Sequence, residues 1–133
     1  MLVTRLDLEV MTMTTQKSEA QDRRTVESTN LVRLVGRISQ PAQDRVLPSG
    51  DTVSNFRIVV PRPARATRPG SDSLACSAWT SRLRRTTERW AVGDWVELEG
   101  AIRSRFYRGP TGPSSIVEVE VSRGRLIRRA ASA

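Results

Sequence analysis

The strongest constraint in this chain is a period-two alternation of apolar and polar residues, which recurs in five separate segments between Asn30 and Ile127. Such alternation puts the apolar side chains on one side of a pleated strand, and that side must then be covered. LVRLVGRIS (31–39) sets Val32, Leu34, Gly36 and Ile38 against Leu31, Arg33, Val35 and Arg37. TVSNFRIVV (52–60) sets Phe56, Ile58 and Val60 against Asn55, Arg57 and Val59, and Pro61 ends it because proline cannot donate to a sheet ladder. SLACSAWTS (73–81) alternates Leu74, Cys76 and Ala78 with Ser73, Ala75, Ser77 and Trp79. DWVELEGAIRSRFYR (94–108) carries Val96, Leu98, Gly100 and Ile102 on one face, which Phe106 continues. IVEVEVSRGRLI (116–127) alternates Val117, Val119 and Val121 with Glu118 and Glu120.

Between these segments the signals are those of turns. QPAQDR (40–45) reads as a connection and LPSGD (47–51) as a turn. PRPARATRPGSD (61–72) reads as a long solvated loop and RGPTGPSS (108–115) as a turn-rich one. Only SRLRRTTERW (81–90) changes period: Leu83, Thr86 or Thr87, and Trp90 recur at helical spacing, with Ser81 as a capping residue and Gly93 beyond the end. Five short strands at near-regular spacing predict closure into a barrel, and a sandwich usually needs about seven. The expected fold class is therefore all-β: a five-stranded OB-fold barrel with one short helix between strands three and four. Gly36 and Gly100 lie in mid-strand, where a coiled barrel brings backbone close to backbone.

Charge divides the chain in two. Residues 1–27 hold four basic residues against five acids, a net of −1, while residues 28–133 hold 18 arginines against nine acids, a net of +9. The first part lacks sustained periodicity, so residues 1–29 are expected to form a flexible N-terminal extension, residues 30–127 the barrel, and residues 128–133 a short basic C-terminal tail. A domain with a pI near 11.4 usually meets something anionic, and nucleic acid is the commonest candidate. All but one of the basic residues are arginine, which binds phosphate bidentately and stacks on bases. The chain has no histidine and one cysteine, Cys76, so histidine chemistry, an internal disulfide and a structural zinc site are excluded, and no cofactor or metal is expected. Phosphate loop and nucleophile–base pair are both missing, which argues against an enzyme. No apolar run approaches the roughly 20 residues that cross a bilayer, so no membrane association is expected.

Three stretches resemble one family, the bacterial single-stranded DNA-binding proteins. Asn30-Leu-Val-Arg-Leu-Val-Gly-Arg-Ile is similar to that family's opening strand. Leu47-Pro-Ser-Gly-Asp with Val53-Ser-Asn-Phe-Arg-Ile is similar to its second hairpin strand, and Gly93-Asp-Trp-Val-Glu-Leu-Glu-Gly-Ala-Ile-Arg-Ser-Arg to its fourth. They arrive in the family order. The resemblance implies an OB-fold that binds single strands without sequence preference, commonly as a tetramer, in DNA replication, recombination or repair, and hence a cytoplasmic, nucleoid-associated protein. It implies stacking aromatics at Trp79 and Tyr107. It also marks departures: Ser73 stands at an early third-strand stacking site, and Pro-Arg-Pro-Ala (61–64) at another. The end of the chain is basic where well-studied members carry an acidic, partner-recruiting tip, so that recruitment is not expected.

The expected nucleic-acid-binding set is Arg33, Arg37, Arg57, Arg62, Arg65, Arg68, Trp79, Arg103, Arg105, Tyr107 and Arg108. Tyr107 shares a face with Arg103 and Arg105, which favours binding. Trp90, Trp95 and Phe106 are expected to pack, and Cys76 to be a small buried hydrophobe. Glu97, Glu99, Glu118 and Glu120 are expected to pair with arginines across strands. Leu31 and Val35 form an apolar strip that a monomer would expose, which points to a homo-oligomer, a tetramer before a dimer. Two other readings stand beside single-stranded DNA: an OB-fold RNA binder, and a structural or assembly subunit with weakened binding.

Overall fold

The computed structural model describes residues 25–131. Its elements are β1 (Val32–Val46), β2 (Thr52–Pro61), β3 (Ser71–Ala78), α1 (Ser81–Thr87), β4 (Trp95–Gly109) and β5 (Gly112–Arg128). The strands close into a barrel in the order β1-β2-β3-β5-β4, with β4 returning to β1. Every pairing is antiparallel except the short β3–β5 seam at Cys76–Val119 and Ser77–Glu120. The five-stranded barrel and the helix between β3 and β4 are those the alternation predicted.

Within the barrel the inner faces are as read, but Ile102, expected on the inner face of the fourth strand, lies past the core and is 39% exposed. Ile38, Phe56, Ile58, Cys76, Val96, Leu98, Val119 and Val121 fill the barrel together with Trp90. Trp90 meets the Phe56 ring edge-on, with centroids 5.9 Å apart, and lies against Gly124. Gly36 and Gly100 sit at true close approaches: a Cβ on Gly36 would stand 2.5 Å from the Val59 carbonyl oxygen, and one on Gly100 would collide with the Glu120 carbonyl.

Strand lengths differ from expectation. QPAQDR is not a connection: β1 continues through it to Val46, paired with β2. Two irregularities in register, between Ile38 and Gln40 and between Gln40 and Gln43, let the strand turn as it leaves the barrel. Pro41 falls in the second, where no ladder hydrogen bond is lost. RGPTGPSS is likewise mostly strand. β4 and β5 pair out to Gly109–Gly112, leaving only Pro110 and Thr111 as the turn, with Gly112 at φ +120°. Pro113 is tolerated because this part of β5 pairs with β4 alone. Both hairpins thus project beyond the barrel as two-stranded arms.

Smaller corrections follow from the same geometry. Thr80, not Ser81, caps α1, its hydroxyl accepting from the Leu83 N–H at 3.2 Å. The helix ends at Thr87, and Trp90 reaches the core from the turn behind it. Trp95 is half-buried on the outer face, with the Arg128 guanidinium 6.0 Å from its ring, rather than packed inside. Val117 and Phe106 lie on the arm, past the end of the core, and stand 60% and 82% exposed. Of the expected N-terminal extension, residues 1–24 lie outside the described residues. At the other end, Arg129 and Ala130 are bound to the Asp94 carboxylate at 2.9 and 2.8 Å, so the start of the basic tail is tied to the barrel.

Candidate nucleic-acid interface

The two arms and the sheet between them enclose a groove of about 570 Å³. One wall is the outer half of β1, with Gln40, Gln43 and Arg45; the floor is β2 and β3, with Asn55, Arg57 and Ala75; the far wall is the base of the β4–β5 arm, with Arg105, Ile116 and Glu118. This is the face and pair of loops with which OB-folds take oligonucleotides. The β1 half of the first arm and the start of β5 in the second were not legible as strand, so the groove was not legible as a groove.

Of the expected site residues, the structure brings Arg57 and Arg105 together here. Arg57 is held flat across the sheet: its Nε and Nη2 donate to the Ser73 hydroxyl at 3.2 and 3.1 Å, and Nη2 also reaches the Ser73 carbonyl. Ser73 therefore orients a cation at the position where the resemblance expected a ring. Arg105 donates to Glu118 at 2.7 Å, and Arg103 to Glu120 at 2.7 Å. These pairs confirm the expected cross-strand partnering of the glutamates. They also mean that part of the arm's positive charge is already compensated. Tyr107 stands 50% exposed further along the arm, next to Arg108.

The remaining residues lie outside the groove. Arg33 and Arg37 are on the outer face of β1. Arg33 and Arg125 grip Glu97 from either side, at 2.6 and 2.7 Å between their Nε atoms and its two oxygens. The Arg33 guanidinium, with Arg125 behind it, holds the Glu97 carboxyl below the usual range against the cost of burial. Trp79 follows the end of β3 and is half-buried, its indole N–H donating to the Ser77 hydroxyl at 3.3 Å. It lines a second depression with Arg82, Leu83, Glu120 and Arg123, between α1 and β5.

The loop after β2 is shaped around Arg62. Its guanidinium forks onto Asp72, with Nη2 to Oδ1 at 2.7 Å and Nε to Oδ2 at 3.3 Å, while its Nη1 reaches the Arg68 and Pro69 carbonyls. Its backbone N–H donates to the Gly70 carbonyl at 2.9 Å. The hydrogen bond from Arg62 holds the Asp72 carboxyl below its usual range. Arg62 thus closes the loop, and Arg65 and Arg68 project from it exposed. Among the described residues Arg37, Arg45, Arg57, Arg65, Arg68 and Arg108 form no ion pair. Arg45 and the amides Gln40, Gln43 and Asn55 are the groove residues that sequence reasoning missed. The signal was present in the alternation of Gln43 and Arg45, but Pro41 hid it.

Cys76 is buried, and burial pushes its thiol up to about 12, so it is the inert small hydrophobe expected. Among the described residues no cluster of acids and cysteine could hold a metal ion, and no helix is long and apolar enough to cross a membrane.

Comparison with known proteins agrees with this geometry. A single-stranded DNA-binding protein of Oceanobacillus iheyensis is 30% identical over 90 residues, covering 66% of this chain and 56% of that protein. Its counterpart in Halalkalibacterium halodurans is 29% identical over 86 residues, covering 62% and 51%. The chain thus spans about half the length of the curated relatives it matches. The barrel superimposes on the structure of a Plasmodium falciparum SSB solved in complex with ssDNA, with a TM-score of 0.63 at 19% identity, covering 78% of this chain and 97% of that one. The model of the single-strand binding protein family matches residues 29–127, which takes in every strand but the last residue of β5, and the chain belongs to that family.

Proposed function

We propose that this chain binds single-stranded DNA without sequence preference, through the groove between its two arms. The observation that carries the reading is the groove itself: it opens on the oligonucleotide face of an OB barrel, and Arg45 and Arg57 in it have no acidic partner. Those cations neutralise backbone phosphates, Tyr107 and Arg108 continue the track along the β4–β5 arm, and Arg65 and Arg68 meet it from the loop. Trp79 offers a further ring in the depression beside α1. Backbone charge and ring stacking both tolerate any base, so the recognition is of strandedness. The family consists of binders and not of enzymes, and the chain is not an enzyme. Replication, recombination and repair are the settings where such an activity is used.

Anisotropy titration of labelled oligo-dT, oligo-U and duplex DNA at two salt concentrations tests this. Oligo-dT should bind far more tightly than duplex, with a log–log salt slope of roughly −0.7 per phosphate neutralised. Equal affinity for duplex would reject the reading, and preference for oligo-U would turn it towards RNA. Replacing Arg65 and Arg68 together by alanine should make the slope shallower by up to about 1.4 and weaken all sequences alike. An unchanged slope would show that the loop is only a solvated connection.

The same reading includes assembly. Leu31, just before β1, is 72% exposed, and Val35 on the strand's outer face is 44% exposed. From Val32 to Gly36 that strand pairs with β4 on one side and begins pairing with β2 only at Arg37, which leaves an open edge. An apolar strip beside an open edge favours a second copy, so the chain is proposed to form a homo-oligomer, a tetramer before a dimer. Light scattering at micromolar concentration should return about four times the 14.8 kDa chain mass; a single chain mass rejects assembly.

A further inference from the structure

We infer that Phe106 is a second base-stacking site, on the face of the β4–β5 arm opposite Tyr107; this rests on the single-strand reading above. Adjacent residues of a strand point to opposite faces. Arg105 and Tyr107 share a face with their register partners Ile116 and Ser114, while Ser104 and Phe106 share the other with Val117 and Ser115. Phe106 has the highest exposure of the large apolar side chains among the described residues. An open phenyl ring at this place needs an occupant.

The arm is reachable from both faces. The Asn30 carboxamide takes the backbone carbonyl and N–H of Ile102, at 2.8 and 2.9 Å, and beyond that clasp β4 pairs only with β5. A single strand that turns over this open edge meets Tyr107 on one face and Phe106, the preceding residue, on the other. The arm's charge points the same way. Two of its three arginines are already compensated by Glu118 and Glu120, which leaves Arg108 for a phosphate and two rings for bases. Ile116 and Arg105, register partners on the Tyr107 face, line the groove, whereas Arg108 shares the face of Phe106, so a strand that leaves the groove over the open β4 edge meets an unpaired cation and a ring together. The rival occupant is a second copy of this chain, since Ile102 and Val117 extend the same apolar face. The two differ in what they need: a protein contact accepts any apolar side chain of similar size, whereas a base needs a π-face.

The test is oligo-dT titration of the full chain and of Phe106→Leu, Phe106→Ala and Phe106→Tyr at two salt concentrations, with light scattering on each. Leucine and alanine should both weaken binding roughly 5- to 100-fold, and tyrosine should retain it. The salt slope and the assembly mass should not change, because no phosphate contact and no protein contact is lost. Wild-type affinity in Phe106→Leu overturns the inference, as does a fall in mass, which would give the strip to a second copy. If the unmodified chain itself fails to bind oligo-dT, the proposed function falls and this inference with it; if it binds and only Phe106→Leu is unimpaired, this inference alone falls.

Discussion

Gly100→Ala should cost the barrel about 3 kcal/mol, a large part of an ordinary domain's stability. The added methyl would enter the Glu120 carbonyl group and come within 3.0 Å of the Val121 Cα. Both obstacles are backbone of β5, so no side chain can rotate away to make room. The register steps at this point from Glu99–Arg123 to Gly100–Val121, placing an extra residue in β5 where the two strands coil most closely. Gly50 supplies the comparison. It adopts φ +95° but has nothing within 4 Å of the Cβ position, so Gly50→Ala meets backbone strain alone, roughly 1 kcal/mol. Urea denaturation of the two variants should show the larger loss for Gly100. Equal midpoints would mean that β5 shifts to accept the methyl.

Asp94→Ala should be nearly as damaging, at about 3 kcal/mol, and should change how the protein responds to acid. Asp94 is 1% exposed and accepts from the Ala91 N–H at 2.9 Å, from Arg129 at 2.9 Å and from the Ala130 N–H at 2.8 Å. Its carboxylate therefore joins the turn after α1 to the chain leaving β5. The Ala91 N–H foremost, then Ala130 and Arg129, hold its carboxyl below the ordinary range despite burial. A carboxyl lowered in this way adds stability that is complete above its unfolded pKa, near 4, and is lost as pH falls through the folded value. Glu97, lowered first by Arg33, acts in the same direction. Wild type should lose stability below about pH 4, and Asp94→Ala should lose less over the same interval because the linkage is gone. An equal acid loss in both proteins would remove Asp94 from the account.

Within the barrel the inner face of each strand was readable because alternation and burial are the same fact seen twice. Val96, Leu98 and Gly100 could not all face water, and Gly36 and Gly100 announced close contacts by lacking a side chain. The glutamate–arginine pairs were readable for a related reason: alternate acids on one strand need partners on the next. Pro41 and the Gly-Pro cluster at 109–113 misled the reading. Proline breaks a strand only where its missing N–H was needed, and an arm paired on one side has positions where it is not. With the arms shortened, Phe106 looked like the next core residue after Ile102, and Arg45 looked like part of a connection.

The site residues divide along the same line. Their types were visible in the sequence: an excess of arginine without acid, one tyrosine and one outward tryptophan. Which arginine is free was not visible, because ion pairing is settled by who arrives opposite. Arg62 meets Asp72 across its own loop, Arg33 meets Glu97 on β4, and Arg105 meets Glu118 on β5, whereas Arg45 and Arg57 arrive opposite no acid. By itself the sequence determined a closed barrel with a defined inside, since a period of two permits one burial pattern. Only the tertiary structure decided where that barrel has its groove, because a groove is made by two arms projecting past the core, where no burial pattern remains to be read.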